Sequence, residues 1–186
     1  LRDTKNQIVS FYGRSVVNDD NAKHFYLAGR QGLYPNYPKA DTTKLILTEA
    51  IIDATTLLQL PEITQQYATL SLYGTNGLND EHRAVIKELT HLQEVVLFFD
   101  GDEAGRQAIK KHFSEISFLR PGIKVSYVET PDNEDINSLS LSHDPAIFPH
   151  LLGNRIFLFH LKEEKPMATT SQPVTPVLNT RNPEYI

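Results

Sequence analysis

The 186-residue sequence contains no cysteine and no tryptophan, and its only methionine is Met167. Without cysteine, this stretch of chain has no disulfide framework and no cysteine-ligated zinc or iron–sulfur site. It also lacks any apolar run of the roughly 20 residues that a membrane-spanning helix requires, and it lacks a signal segment at its start. We therefore expect a globular protein of the cytoplasm, with no membrane partner and no zinc within these residues.

Charge is distributed unevenly along the chain, although the formal net charge is only −5. Residues 1–44 contain seven Lys or Arg and four Asp, which gives a net charge of +3, and the remaining residues carry −8. A mildly acidic total argues weakly against a nucleic-acid partner. The asymmetry fits an anion-binding face beside a cation-binding face, with chance scatter as the alternative.

From Lys44 onward, short apolar segments alternate with segments of helical spacing. Strands are predicted at residues 45–47, 67–72, 95–99 and 123–128, and helices at residues 51–60, 79–89 and 103–118. The segment 95–99 is apolar without alternation, as expected for a strand buried on both faces. Alternation of strands with helices of this length predicts an α/β fold, with a mostly parallel four-stranded sheet flanked by helices.

The two ends of the chain differ from this α/β region, which we assign to residues 43–150. Residues 1–42 contain short aromatic stretches separated by Gly, Asn, Asp and Pro, which predicts a small β-rich subdomain. Residues 151–186 form a C-terminal extension with linker composition, rich in Pro, Thr, Ser and Asn after about Lys162. Because the chain begins at Leu1, we expect it to be a piece of a longer protein.

Acidic residues follow three of the predicted strands. Glu49 follows the first strand, with Asp53 one helical turn later; Asp100 and Asp102 follow the third, and Asp135 follows the fourth. The carboxyl ends of parallel strands meet at one edge of the sheet, so we expect these five side chains to converge there. Grouped carboxylates repel one another unless cations neutralise them. Hard oxygen ligands without Cys or His favour Mg²⁺ or Mn²⁺ over zinc.

Purely structural roles for these acids are the alternative to metal binding. Asp102 precedes a helix and is placed to cap it, and Asp53 lies in a first helical turn, where the dipole favours an acid. Asp135 fits a solvated loop. An EF-hand calcium loop is excluded, because its fifth and twelfth positions are occupied by Ala104 and Lys111.

Four segments together resemble the motifs of the Toprim domain, the metal-binding fold of bacterial-type primases, type I and II topoisomerases and some nucleases. They are residues 47–54, 74–77, 99–105 and 134–137. The Asp-Gly-Asp-Glu-Ala-Gly-Arg run that starts at Asp100 is typical of bacterial-type DNA primases and their phage or mobile-element relatives. The resemblance covers about residues 1–140. It departs from the family at Ala50, where a Gly with freedom at positive φ is usual.

The basic N-terminal segment also resembles the region that precedes the Toprim domain in primases. The similar stretches are residues 8–14, 23–27 and 29–34. In primases, the residues that match Arg14, Lys23 and Arg30 line the groove for template and nucleotide phosphates, a role that suits guanidinium and ammonium groups. Ordinary surface charge is the alternative for these three residues. The resemblance assigns Gly74 and Gly77 to a tight turn beside the metal site.

The resemblance implies a nucleotidyltransferase that makes RNA primers on single-stranded DNA from nucleoside triphosphates. It assigns Glu49, Asp100 and Asp102 as catalytic metal ligands and Asp53 and Asp135 as further ligands, with two Mg²⁺ or Mn²⁺ ions expected. A replicative helicase is an expected partner. Two alternatives remain: a Toprim nuclease or topoisomerase-type strand-cleavage module, and a non-catalytic nucleic-acid-binding module of replication.

Overall fold

The computed structural model describes residues 1–16, 24–73 and 77–159. The strands are β1 (Tyr12–Arg14), β2 (His24–Tyr26), β3 (Lys44–Thr48), β4 (Ala68–Ser71), β5 (Glu94–Phe98), β6 (Lys124–Tyr127) and β7 (Ile156–Leu158). The helices are α1 (Ile51–Leu58), α2 (Pro61–Thr64), α3 (Asp80–Glu88), α4 (Glu103–Leu119), α5 (Ile136–Ser142) and α6 (Ile147–Gly153). Lys23, Gly74 and the Pro- and Thr-rich part of the C-terminal extension lie outside the described residues.

The larger sheet has five strands in the order β4-β3-β5-β6-β7. Its first four strands are parallel, and β7 is antiparallel to β6. Helices flank the sheet, and β1 and β2 form a separate antiparallel pair near the N-terminus. The predicted α/β fold with four parallel strands and a small β-rich N-terminal part is therefore confirmed. The fifth strand lies in residues that the sequence analysis assigned to the extension.

The central strands are buried on both faces because their side chains alternate between two apolar layers. Leu45, Leu47 and Val95 pack into one hydrophobic cluster, and Ile46 and Val96 pack into the other on the opposite face of the sheet. Each such side chain stabilises the fold by about 1.5–3 kcal/mol when it is removed from water. This two-sided burial explains why the strand sequences are apolar without alternation.

Helix α3 begins at a capping residue, and helix α4 ends at a break that the sequence provides. Asn79 caps α3, and its side-chain oxygen accepts a hydrogen bond from the His82 N–H at 2.9 Å. Helix α4 ends just before Pro121 and Gly122, and Gly122 has a φ of +84°. None of the helices in the described ranges is both long and apolar enough to cross a bilayer.

Candidate metal and nucleic-acid site

Two of the predicted ligands follow neighbouring parallel strands. Glu49 comes directly after β3, and Asp100 lies two residues beyond the end of β5. The two strands are paired in register as far as Thr48 and Phe98, so both acids lie at the carboxyl edge of the sheet. The Asp100 backbone N–H donates a hydrogen bond to Glu49 Oε1 at 3.2 Å. Glu49 is 8% exposed, and Asp53 in α1 is 4% exposed.

At this edge, the charges of neighbouring acids raise the pKa values of Glu49, Asp53 and Asp100. Burial and the charge of Asp100 raise the pKa of Glu49 to about 7, although the hydrogen bond from the Asp100 backbone works against this. Burial and the same charge raise the pKa of Asp53 to about 7. Burial, followed by the charges of Asp135 and Asp102, raises the pKa of Asp100 to about 6. The predicted convergence of negative charge is therefore present.

Asp102 and Asp135 also cap helices. Asp102 Oδ1 accepts a hydrogen bond from the Gly105 N–H at 2.7 Å, at the start of α4. Asp135 Oδ1 accepts a hydrogen bond from the Ser138 N–H at 2.6 Å, and the Asp135 N–H donates to Ser138 Oγ at 2.9 Å. The helix-capping role that was the structural alternative for Asp102 is therefore observed. Because a carboxylate has two oxygens, capping leaves one oxygen of each side chain for another ligand.

Two glycines inside the acidic run, Gly101 and Gly105, allow close approach of the backbone and side chains at this edge, and neither was predicted to have a role. A Cβ atom on Gly101 would lie 1.9 Å from the Pro131 carbonyl oxygen, and a Cβ on Gly105 would lie 2.1 Å from the Asp100 carbonyl oxygen. The same Cβ on Gly105 would lie 3.0 Å from Glu49 Oε1. The position of both glycines inside the Asp-Gly-Asp-Glu-Ala-Gly-Arg run was the feature of the sequence that could have indicated this packing role.

The donor chemistry of this edge fits a hard divalent cation. All the candidate ligands are carboxylate oxygens, and a dication would stabilise the ionised forms that burial and repulsion disfavour. Within the described ranges, no three Asp, Glu or His side chains are arranged to hold one ion as they stand. Glu49, Asp102 and Asp135 each accept a backbone hydrogen bond through one carboxylate oxygen, and the second oxygen of each side chain can serve as a ligand.

The structure brings two of the three predicted basic residues to the same side of the molecule as the acids. Arg14 is exposed at the end of β1, and its positive charge acts to lower the pKa of Asp53. The Arg30 guanidinium packs against the rings of both Tyr26 and Tyr73, with Cζ 4.5 Å and 4.7 Å from the two ring centroids. The third basic residue, Lys23, falls outside the described ranges.

Gly77, one of the two predicted turn glycines, has a backbone that a larger residue would strain. Its φ is +104°, and a Cβ atom there would lie 2.8 Å from Cε1 of the buried His112. Glycine is therefore the residue that this backbone favours. The other turn glycine, Gly74, lies outside the part of the chain that the structure describes.

Contacts between the N-terminal segment and the α/β domain include residues that the sequence analysis did not find. Glu81 in α3 accepts hydrogen bonds from the Gly32 N–H through both carboxylate oxygens, at 3.0 and 2.8 Å. It also accepts a hydrogen bond from the Tyr37 hydroxyl at 2.8 Å. The Tyr73 hydroxyl donates to the Gly32 carbonyl oxygen at 3.0 Å. These contacts join residues more than 40 positions apart, so no local pattern in the sequence could reveal them.

Comparison with curated proteins finds DNA primases. The DNA primase of Pseudomonas aeruginosa is 34% identical over 151 residues, which cover 75% of this chain and 21% of that protein. The DNA helicase/primase of Enterobacteria phage T3 is 25% identical over 189 residues, which cover 96% of this chain and 32% of that protein. The chain thus spans about a fifth to a third of the length of these relatives.

Solved structures share the fold. The DnaG primase catalytic domain bound to single-stranded DNA superposes with a TM-score of 0.66 at 24% identity, over 84% of this chain and 50% of that chain. The primase fragment of the bacteriophage T7 primase-helicase superposes with a TM-score of 0.56 at 24% identity, over 81% of this chain and 60% of that chain. The Toprim-like family profile matches residues 46–140. The chain therefore belongs to the Toprim-like family and is a homologue of DNA primases, as its sequence motifs predicted.

Proposed function

We propose that this chain contains the nucleotidyl-transfer centre of a DNA primase, which makes RNA primers on single-stranded DNA from nucleoside triphosphates. The observation that carries the proposal is the pair of acids Glu49 and Asp100. They lie at the carboxyl ends of adjacent parallel strands, in hydrogen-bond contact and with raised pKa values, in a chain related to DNA primases. An acidic edge of this kind serves chemistry at phosphate through bound cations.

Glu49, Asp100 and Asp102 are proposed to hold two Mg²⁺ or Mn²⁺ ions, with Asp53 and Asp135 as further ligands. Such ions, when bound, lower the pKa of an attacking hydroxyl and neutralise charge on the phosphate and its leaving group. The chain itself keeps the carboxylates together at a partly buried edge. Asp102 and Asp135 are oriented there by their helix caps.

Arg14, Lys23 and Arg30 are proposed to hold the phosphates of the template and of the incoming nucleotide. Two features support this role: the net charge of +3 in residues 1–44, and the influence of Arg14 on Asp53, which brings basic and acidic groups together. Guanidinium groups suit bidentate phosphate contacts. Gly74 and Gly77 are proposed to form the turn beside this site, and the positive φ of Gly77 supports it.

The same proposal includes a cytoplasmic location and a replicative helicase as partner. Support for the helicase comes from the phage T3 relative, which is named a DNA helicase/primase. The domain boundaries at residues 1–42, 43–150 and 151–186 also stay a prediction. The position of β7 in the sheet indicates that the described part of the extension belongs structurally with the α/β domain.

The test is extension of an RNA primer annealed to a DNA template, with labelled nucleoside triphosphates and either Mg²⁺ or Mn²⁺. A preformed primer makes the assay independent of template-site recognition. We expect incorporation by the wild-type chain, and a loss of at least about 100-fold in Glu49→Gln and Asp100→Asn. Glu62→Gln, the same change at an exposed acid in α2, is the matched control.

The alternatives have distinct outcomes in this assay. Cleavage of DNA without incorporation would overturn the primase proposal in favour of a strand-cleavage module. Binding of single-stranded DNA with neither reaction would favour a non-catalytic module of replication. Equal incorporation by the wild type and by both carboxylate variants would remove Glu49 and Asp100 from the site.

A further inference from the structure

The Arg30 guanidinium packs against two tyrosine rings that also contact each other. Its Cζ lies 4.5 Å from the Tyr26 ring centroid and 4.7 Å from the Tyr73 ring centroid, and the two ring centroids are 6.0 Å apart. Arginine stacks favourably on aromatic faces through its planar, weakly hydrated guanidinium. We call the set Tyr26, Arg30 and Tyr73 the Arg30 stack. Arg30 itself remains exposed.

Tyr73 is the fixed part of the Arg30 stack. It is only 8% exposed, and its ring also contacts the His82 ring edge to face, with centroids 5.6 Å apart. Its hydroxyl donates to the Gly32 carbonyl oxygen, while Glu81 accepts from the Gly32 N–H. Tyr73 thus contacts both the Arg30 side chain and the backbone two residues after Arg30.

The backbone of Tyr73 is unusual for its residue type. Its φ is +64°, in the left-handed region that bulky residues rarely occupy. Residues in such conformations persist when surrounding contacts hold them, and they cluster at binding and catalytic sites. Tyr73 lies two residues beyond the end of β4, at the same sheet edge as Glu49, and its ring packs against the Arg30 guanidinium.

Base stacking is a less suitable role for Tyr73. One neighbour of its ring is the Arg30 guanidinium, and the rings of Tyr26 and His82 pack against it at steep angles of 69° and 62°. A ring that is so nearly buried has little surface for a nucleobase. The outward-facing group of the Arg30 stack is the guanidinium, whose N–H donors match a phosphate group.

We propose that Tyr73 is a positioning residue that, with Tyr26, presents the Arg30 guanidinium to a nucleotide phosphate. This inference rests on the proposed function and extends it to two tyrosines that have no assigned role. Stacking restricts the rotamers of a long side chain before the ligand arrives, so less conformational entropy is lost on binding. The phosphate belongs either to the template strand or to a nucleoside triphosphate, and the experiment separates the two.

The experiment measures the dissociation constants of a fluorescent 12-residue oligo(dT) and of a fluorescent ATP analogue with Mg²⁺, for single variants and a double variant. We expect Arg30→Ala to weaken one of the two probes by about tenfold and Tyr73→Leu to weaken the same probe by about three- to fivefold. Tyr73→Phe keeps the aromatic ring, so its affinity for that probe is expected to stay within about twofold of the wild-type value. The probe that loses affinity identifies the source of the phosphate.

The double variant distinguishes positioning from a general structural role. If Tyr73 acts through Arg30, then Tyr73→Leu has no further effect on affinity in the Arg30→Ala background. Lys44→Ala is the matched control, because the Lys44 ammonium lies 5.3 Å from the Tyr67 ring centroid at the other end of the sheet. The control removes the same charge from an aromatic contact, and we expect it to leave both affinities within about twofold.

Several outcomes would overturn the inference. One is a lower melting temperature in Tyr73→Leu with unchanged affinity for both probes; another is an equal loss of affinity with and without Arg30. If Tyr73→Leu fails to fold, Tyr26→Leu removes the other, more exposed ring and tests the same stack. A wild-type chain that binds neither probe overturns the proposed function as well. Binding that is insensitive to Arg30→Ala overturns the inference alone.

Discussion

Glu49 and Asp53 are buried acids whose pKa values lie near 7, and the acids around them repel their charged forms. Among the ion pairs of the described residues, none neutralises Glu49, Asp53 or Asp100. Ionisation of these three carboxylates therefore destabilises the folded state relative to the unfolded state. A cation that binds the folded state is the simplest source of compensation.

We therefore expect Mg²⁺ or Mn²⁺ to raise the melting temperature of the chain at pH 7.5. At a metal concentration of 100 times the dissociation constant, mass action stabilises the folded state by about 2.7 kcal/mol, equivalent to a rise of roughly 5–10 °C. Differential scanning fluorimetry with and without EDTA measures it. Asp100→Asn is expected to lose most of the rise, and Glu62→Gln is expected to keep it. An equal rise in both variants would contradict metal binding at the acidic edge.

The lack of a side chain at Gly105 allows the Asp100 carbonyl and the Glu49 carboxylate to lie close to helix α4, so we expect a larger residue there to destabilise the fold. Gly105→Ala places a methyl group against the Asp100 carbonyl oxygen and close to Glu49 Oε1, so we expect a loss of about 2 kcal/mol in the free energy of unfolding. Urea denaturation measures this loss. Gly153→Ala is the control, since nothing lies within 4 Å of the added Cβ, and its effect should stay within about 0.5 kcal/mol. Equal effects at the two glycines would show that crowding is not the cause.

At the scale of elements, helix α4 depends on the same side chain that is proposed to bind metal. Asp102 caps α4, and loss of an N-cap costs about 1 kcal/mol. Asp102→Ala is expected to lower both stability and primer extension. Asp102→Ser keeps a capping oxygen and removes the carboxylate, so it should retain stability within about 0.5 kcal/mol and still lose extension. Activity in Asp102→Ser close to the wild-type value would reduce Asp102 to a structural cap.

The elements that the sequence predicted are those with local patterns. The two-sided burial of β5 is visible as an unbroken apolar run, and the cap at Asn79 is visible as a residue type before a helical segment. The convergence of acids followed from strand order alone, because parallel strands end at one edge. Strand β7, by contrast, was not predicted. It has only three residues, its side chains Ile156 and Phe157 are each 39% exposed, and it adjoins a segment of linker composition, so no local pattern marked it as a strand.

The features of the site that the sequence did not reveal depend on contacts between distant segments. The Arg30 stack needs Tyr73 to lie beside a loop some 40 positions earlier in the chain, and Glu81 reaches Gly32 in the same way. Residue type gives no sign of such partners. The helix cap made by Asp102 was visible as a possibility, whereas the sequence suggested a solvated loop for Asp135, which in fact caps α5. The geometry of both caps relative to the metal site needed the fold.

At the scale of the whole molecule, a buried ion pair ties the last strand to the centre of the sheet. Arg155, directly before β7, donates to both carboxylate oxygens of Glu94 at the start of β5, at 2.6 and 2.9 Å. Ser126 in β6 donates to the same carboxylate at 2.6 Å. One carboxylate thus joins three strands, and the pair lies at the end of the sheet opposite the acidic site. Burial disfavours the charge of Glu94, but the hydrogen bonds from Arg155 and Ser126 outweigh burial and lower its pKa.

This pair makes a prediction about the pH dependence of folding. Because the folded-state pKa of Glu94 lies below the ordinary value of 4.5, its stabilising contribution is present above that value and is lost as the pH falls through the folded-state pKa. Glu94→Gln leaves Arg155 without its partner and is expected to cost about 3 kcal/mol at pH 7. Urea unfolding of wild type and variant at pH 7, 5 and 3 should show a gap that persists at pH 5 and narrows at pH 3. A gap that stays constant to pH 3 would mean that packing, and not the charge of Glu94, holds β7 to the sheet.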